Sequence, residues 1–229
     1  EWFSQNYPDS SLLQDSEDGS VWLIQGNTRR LFSSKVALVS RYSIKQLIPV
    51  EPNELEKYQI GTPIKYANYS LLRIETGGIY LLDNDVVRPI TSMKAFKLLG
   101  FNPEEVMNVK ATDIADLPRG ESITVESSFP TGGLLQDKAT GGVYYVQNGI
   151  KHPIWAKQLL TLYYKTKKIS KVTAEELKQY ATGDPVKFKD GELLKSDKES
   201  AIYFVSNGAR RPFVSEAAFK ELGYKMTNV

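Results

Sequence analysis

One twelve-residue pattern occurs four times in this chain: VWLIQGNTRRLF at 21–32, IYLLDNDVVRPI at 79–90, VYYVQNGIKHPI at 143–154 and IYFVSNGARRPF at 202–213. Its aromatic stands at Trp22, Tyr80, Tyr144 and Tyr203, spacings of 58, 64 and 59 residues. A leucine pair precedes each copy: Leu12-Leu13, Leu71-Leu72, Leu134-Leu135 and Leu193-Leu194. A helix-like stretch follows, then an acid beside an aliphatic residue and a glycine: Glu54-Leu55 to Gly61, Asp113-Ile114 to Gly120, Glu176-Leu177 to Gly183. So many aligned positions define a tandem repeat, and each repeat must be one supersecondary unit that buries its apolar surface against its neighbours. The repeats are expected over about 11–68, 69–131, 132–190 and 191–229 of a single domain spanning 1–229. The fourth stops at Val229, before its acidic and glycine elements; residues 1–10 supply them if the repeats close into a ring, and otherwise the array is a truncated one.

Eight residues after the aromatic comes Arg30, Arg88, His152 or Arg211. The only histidine of the chain thus occupies a position that is arginine in the other three copies. Arginine exchanges no proton near neutral pH, so a catalytic histidine has no reason to alternate with it; the required property is a donor-rich or cationic side chain.

Within each copy, an apolar run, a two-residue turn and a second run predict a β-hairpin. Asn148-Gly149 and Asn207-Gly208 suit the positive φ that such turns demand, and Gly26-Asn27 and Asn84-Asp85 fill the same slot. The turn fixes the faces: Leu81 opposite Arg88 and Tyr80 opposite Pro89, giving Ile79, Leu81, Arg88 and Ile90 on one side and Tyr80, Leu82, Val87 and Pro89 on the other. Both faces are apolar, so helices or neighbouring repeats must cover both. The leucine pair adds a strand, and Thr62–Tyr66 or Asp184–Phe188 a fourth to the unit that follows it. Ser33-Ser34, Thr91-Ser92 and Ser215 can cap a helix, which Gly100 or Gly223 ends. A further helical turn is entered through Pro52 or Thr173. The fold class is therefore mainly β with short helices, built from four tandem meander-plus-helix repeats, arranged as a four-bladed propeller-like ring or as an open array of small α+β modules.

Composition closes off several functions. A net charge of +2 over 229 residues is too small to make nucleic acid or an anionic membrane the main partner, and no run approaches the apolar length of a membrane span. There is no cysteine, which removes disulfides, thiolate nucleophiles and cysteine zinc sites. Asp15–Gly19 has spacing like a calcium loop but lacks the twelfth-position glutamate, and Thr76–Gly78 and Thr140–Gly142 lack the lysine of a phosphate loop; all read as turns. No Ser/His/acid set appears, leaving a carboxylate-based glycan hydrolase as the weakest alternative. No catalytic residue, metal or cofactor is expected. The start at Glu1, without a signal pattern, reads as a processed or excised piece.

The pattern "Leu-Leu … aromatic-apolar-apolar-x-Asn-Gly-x-basic-Arg-Pro-Ile … Ser-x-x-x-Phe-x-x-x-Gly … Glu-Leu … Tyr-x-x-Gly-x-Pro-Ile" resembles uncharacterised tandem repeats of roughly 60 residues in secreted or envelope-attached bacterial proteins. The plan of four meanders with helices is similar to the hemopexin-type four-bladed propeller, in plan only. The resemblance implies an extracellular or cell-surface, non-catalytic module, and brings no assigned ligand or site.

The expected role is binding of cell-envelope polysaccharide or polymer, or of surface proteins; the alternative is a structural subunit that assembles with copies of itself. The candidate ligand residues are the recurrent cations Arg30, Arg88, His152 and Arg211, their neighbours Lys151 and Arg210, and Trp155. A competing reading pairs the cations with the recurrent acids Glu54, Asp113 and Glu176 or with strand-edge carbonyls, since a buried charge must be paired. The shared aromatic reads as core. The irregular aromatics Tyr7, Tyr42, Tyr66, Tyr69, Trp155, Tyr163 and Tyr164 suit sugar stacking or a protein interface where exposed. Trp155-Ala156-Lys157 replaces the serine cap of the other copies, and packing competes with binding as its role.

Overall fold

The computed structural model describes residues 6–229. Among them lie six short α-helices and four sheets, one sheet per copy. Copy one contains β1 (Leu12–Asp15), β2 (Val21–Gln25), β3 (Thr28–Leu31), α1 (Lys35–Val39), β4 (Leu47–Val50), α2 (Pro52–Glu56) and β5 (Gln59–Ile60). Copy two contains β6 (Leu71–Arg73), β7 (Ile79–Asp83), β8 (Val86–Pro89), α3 (Met93–Leu98) and β9 (Val106–Asn108). Copy three contains β10 (Gly133–Asp137), β11 (Val143–Gln147), β12 (Ile150–Ile154), α4 (Lys157–Tyr163), β13 (Ile169–Val172), α5 (Ala174–Lys178) and β14 (Ala181–Thr182). Copy four contains β15 (Leu193–Lys195), β16 (Ile202–Ser206), β17 (Ala209–Pro212) and α6 (Glu216–Glu221). The chain divides into two compact units: copy one with residues 188–229, and residues 68–187, which hold copies two and three.

The hairpin registers are those the turns dictate. Leu81 faces Arg88 and Tyr80 faces Pro89; Tyr145 faces His152 and Phe204 faces Arg211. The meander accounts for only the middle of each sheet. In copy one the order is β4-β1-β2-β3-β5, with both outer strands parallel to their neighbours. Residues 62–66, expected to serve the following unit, turn back instead: Ile64 bridges Phe32 in parallel, and its N–H bonds to the Leu31 carbonyl at 2.8 Å. Ile123 and Val186 do the same to Pro89 and Pro153. Parallel pairing needs a crossover, and α1 and α2 in copy one, α3 and a 3-10 turn at 111–113 in copy two, and α4 and α5 in copy three are those crossovers.

The crossovers also cover the two apolar faces. In copy one, Ala37 and Leu38 of α1 bury Leu12, Leu23 and Phe32, while Leu55 of α2 plugs the opposite face formed by Leu13 and Ile24. That second face also meets Leu193, Phe204, Phe219 and Tyr224 of copy four, within one core that includes half-buried Tyr7. Residues 1–5, part of the segment expected to complete copy four, lie outside the described residues. Ser34, Ser92 and Ser215 accept the N–H of Ala37, Ala95 and Ala218 and so start α1, α3 and α6, whereas Ala156 gives α4 no side-chain cap. Gly100 and Gly223, at φ +75° and +78°, end α3 and α6.

A second recurrent device lies two residues ahead of each leucine pair. Ser10, Tyr69, Gly132 and Gly191 all have positive φ. The bend turns the preceding Asp or Asn onto the hairpin turn: Asp9 accepts from Gly26 N–H at 2.6 Å, Asn68 from Asn84 at 2.6 Å, and Asp190 from Asn207 and Gly208 at 2.9 Å each. The turns of copies one, two and four are thus clamped by the segment that leads into the leucine pair. Asp190→Ala is expected to cost about 2 kcal/mol, because two turn N–H groups lose a charged acceptor; a urea titration should show a lowered midpoint at unchanged slope.

Candidate binding surface

The recurrent cation has the same partner in three copies. Arg30 Nε donates to the Thr62 carbonyl at 2.8 Å, Arg88 Nε to the Glu121 carbonyl at 3.0 Å, and His152 Nδ1 to the Asp184 carbonyl at 2.7 Å. A carbonyl only accepts, so His152 carries its proton on Nδ1 here. Each carbonyl belongs to the residue just after the recurrent glycine. The glycine N–H in turn bonds to the carbonyl of the residue before the cation: Gly61 to Arg29, Gly120 to Val87, Gly183 to Lys151. The cation's side chain therefore lies across the glycine. A Cβ on Gly120 would sit 2.5 Å from Val86 Cγ1 and 3.1 Å from Arg88 Cγ; on Gly183, 2.7 Å from Ile150 Cγ2 and 2.8 Å from His152 Cε1; on Gly61, 3.2 Å from Arg30 Cγ.

The recurrent acids, offered as partners of these cations, serve their own helical turns. Glu54 holds Lys57 at 2.8 Å, Asp113 accepts from the Lys110 N–H at 3.1 Å, and Glu176 closes a capping box with Thr173. The basic neighbours are engaged as well. Arg29 lies over the Trp22 ring at 4.7 Å and Arg210 over Tyr203 at 5.0 Å; in copy two, where Val87 takes that position, Arg119 covers Tyr80 at 4.5 Å. Lys151 Nζ donates to the Leu177 and Tyr180 carbonyls at 2.8 and 3.0 Å, at the C-terminal end of α5 where a cation complements the helix dipole. Arg211, on β17, is half-buried opposite Phe204. The shared aromatics are half-buried rather than core, each with one face left to pack and, in three copies, the other under a guanidinium.

In the unit of copies two and three, Arg88 does more than hold its carbonyl. It is 5% exposed, and its Nη1 donates to Asn148 of copy three at 2.8 Å with Asp83 at 3.9 Å. Gln147 Nε2 reaches Tyr69 Oη, Asp83 and the Pro130 carbonyl, while its Oε1 accepts from Tyr145 at 3.2 Å. Tyr145 stacks on Tyr164 at 5.1 Å. Burial raises the Asp83 carboxyl above its ordinary value, and Arg88 pulls the other way. Burial, reinforced by Tyr69, pushes the Tyr164 phenol up to about 12 and Tyr145 higher still. This polar network, half-buried around buried Arg88, joins two copies and makes a structural seam.

Of the irregular aromatics, Tyr7, Tyr42, Tyr66, Tyr69, Tyr163 and Tyr164 are half-buried, and Trp155 alone is exposed, at 80%. Trp155 does not fill a core. Leu162 of α4 is exposed too, and Leu98 holds the equivalent position of α3, also exposed. Asp15 and Asp18 accept from the N–H groups of Glu17 and Ser20 inside their own turn. Among the described residues no three His, Asp or Glu side chains cluster as metal ligands would, and no helix is long and apolar enough to cross a membrane.

No protein-family model and no curated protein matches the chain. Among solved structures it is similar to a chain in the periplasmic assembly from the ESX-5 inner membrane complex, with a TM-score of 0.24 and 11% identity over 93% of this chain and 71% of that one. It is also similar to a chain of an intact ESX-5 inner membrane complex (TM-score 0.24, 14% identity, 91% and 60% covered) and to the EccB3 dimer from the ESX-3 core complex (0.22, 12%, 63% and 54%). At these TM-scores the likeness bears on neither fold nor function.

Two outcomes are expected. Arg88→Ala should cost about 3 kcal/mol in a denaturant titration, since it removes a buried guanidinium and leaves half-buried Asp83 without its cation; unchanged stability would remove the seam. The folded phenols of Tyr145 and Tyr164 hold their protons more tightly than the unfolded ones, so their contribution is whole below pH 10.0 and is lost as pH climbs toward 12. Tyrosinate absorbance should therefore rise in a final step coincident with unfolding.

Proposed function

We propose that this chain is a non-enzymatic interaction module of the cell envelope that binds protein partners through exposed apolar side chains, foremost Trp155, rather than through its repeated cations. The observation that carries the reading is that Arg30, Arg88 and His152 are spent on backbone carbonyls, and Arg29 and Arg210 on aromatic rings. A polymer-binding row needs its charges uncommitted; these are committed to carbonyls and ring faces, and Arg88 is buried. An indole that is 80% exposed, in the one copy whose helix lacks a serine cap, is a large apolar surface placed where the repeat is broken. The same indole favours a second reading, an envelope-glycan binder in which a sugar ring stacks on Trp155. Self-assembly and the four-bladed ring are further proposals, tested by sedimentation and by small-angle scattering.

The deciding experiment is retention of wild type and Trp155→Ala on envelope protein and envelope glycan fractions, at low and high salt. Trp155→Ala should leave stability within about 0.5 kcal/mol, as exposed substitutions do, and abolish salt-insensitive retention by protein. Salt-sensitive retention by glycan that survives Trp155→Ala would restore the cations and overturn the proposal.

A further inference from the structure

Copy one holds a cleft of about 430 Å³ on the sheet face that α1 covers. Its walls are Val21, Phe32, Leu38, Ile44 and Leu47. All of these but Ile44 belong to the apolar cluster under α1 or pack against it, so the cleft opens into that core; Ile44 is exposed. The repeat explains why space is left here. The residue four after the helix cap is Phe96 in copy two and Phe219 in copy four, both buried, and Leu38 in copy one. The Phe96 ring lies 5.5 Å from Phe101, and the Phe219 ring 5.7 Å from Tyr224. Leu38 brings no ring, and Tyr42 stands edge-on to Phe32 at 6.0 Å. A core that lacks a ring's volume and relaxes only in part keeps a void.

The polar groups of the cleft select a charge. Lys35 lines it, is exposed, and holds no hydrogen bond or ion pair among the described residues. Gln14 Nε2 reaches the Gly19 carbonyl at 3.4 Å, a long bond that leaves the amide available. The two serines are engaged: Ser20 Oγ accepts from Trp22 Nε1 at 2.8 Å, and Ser34 Oγ from the Ala37 N–H at 3.1 Å. No Asp or Glu lines the cleft, and the neighbouring Asp15 and Asp18 are turned into their own loop, accepting from the N–H groups of Glu17 and Ser20 at 2.8 and 2.7 Å. Apolar walls with a free cation and an amide donor suit a molecule that is apolar along its body and anionic at one end.

We propose that the cleft binds a small monocarboxylate with a ring-sized apolar body, which takes the place of the absent phenylalanine ring and sets its carboxylate by Lys35 and Gln14. The volume falls within the roughly 300–1,000 Å³ of small-molecule sites. The site lies in copy one and uses none of the residues of the protein-binding reading, so the failure of either leaves the other standing.

Phenylbutyrate is the probe, titrated into isotope-labelled protein and followed by nuclear magnetic resonance, with phenylbutanol and phenylbutylamine as uncharged and cationic comparators. Saturable shifts of the Trp22 indole N–H and of the Lys35 and Ala37 amides are expected. Phenylbutyrate should bind about threefold tighter than phenylbutanol, the effect one exposed charge pair gives, and phenylbutylamine most weakly. Leu38→Phe, which installs the residue of copies two and four, should weaken all three by roughly tenfold or more, because its ring occupies the space, without lowering the melting temperature. Lys35→Gln should bring phenylbutyrate down to the level of phenylbutanol and leave phenylbutanol unchanged, a readout that stands even where Leu38→Phe fails to fold. No saturable shift at those groups, equal binding of the amine, or undiminished binding by folded Leu38→Phe overturns the proposal. So does tighter binding of the peptide Gly-Gly-Gly-Phe, which assigns the cleft to a polypeptide C-terminus.

Discussion

The returning strand of copies one to three depends on a side chain crossing a glycine. The recurrent Arg or His leaves its strand, passes over the glycine of the returning segment, and donates to the next carbonyl. Backbone bonds on either side fix that segment: Gly61 to Arg29 and Ile64 to Leu31, with counterparts in copies two and three. A two-residue parallel strand such as β5 has too few ladder bonds to hold itself. The donor-rich side chain adds the missing bond at the strand's exposed flank, and the glycine leaves room for it. That is why both residue types recur together, and why the cation tells so little about ligands.

The same economy of charge runs through the copies. A guanidinium beside an apolar sheet must find acceptors or a ring face; copies one and two provide both, copy three the carbonyl and copy four the aromatic. Where copy two has Val87 in place of a basic neighbour, Arg119 arrives from the returning segment to cover Tyr80. The arrangement over the ring is kept while the residue supplying it changes, which marks a packing requirement of the sheet. Trp155, exposed at 80%, stands outside this arrangement.

Much of this was legible from residues alone. The turn dipeptides fixed Leu81 against Arg88 and put apolar residues on both faces, and the serine caps and glycine stops bounded three of the helices. The parallel outer strands were not legible, because LIPV and QI are too short to show a period and their pairing is set by crossovers. The acid partners misled for a local reason: Glu54 and Glu176 lie three residues from Lys57 and Thr173, and that near partner wins over a distant one. The Asp9, Asn68 and Asp190 clamp carried a faint signal, an Asx three residues before the leucine pair, hidden because the bend after it needs positive φ in residues as unlike as Ser10 and Tyr69. Trp155 stood out only as a break in the pattern.

His152 shows what the cation position requires and what it can spare. The imidazole offers one N–H to the Asp184 carbonyl, and copy three forms its returning strand as the arginine copies do. A donor at the right reach is what the copies share. What the arginines add is a second arm. Arg30 uses it on Gln25 of its own copy, whereas Arg88 uses it on Asn148 of the neighbouring copy, beside Asp83. One residue type at one repeat position thus closes a sheet in copy one and joins two copies in copy two. His152 has no second arm to return the contact, and Gln147 of copy three supplies it to Asp83 and Tyr69 instead. The repeat sets the first bond of this side chain; the neighbour it meets sets the second.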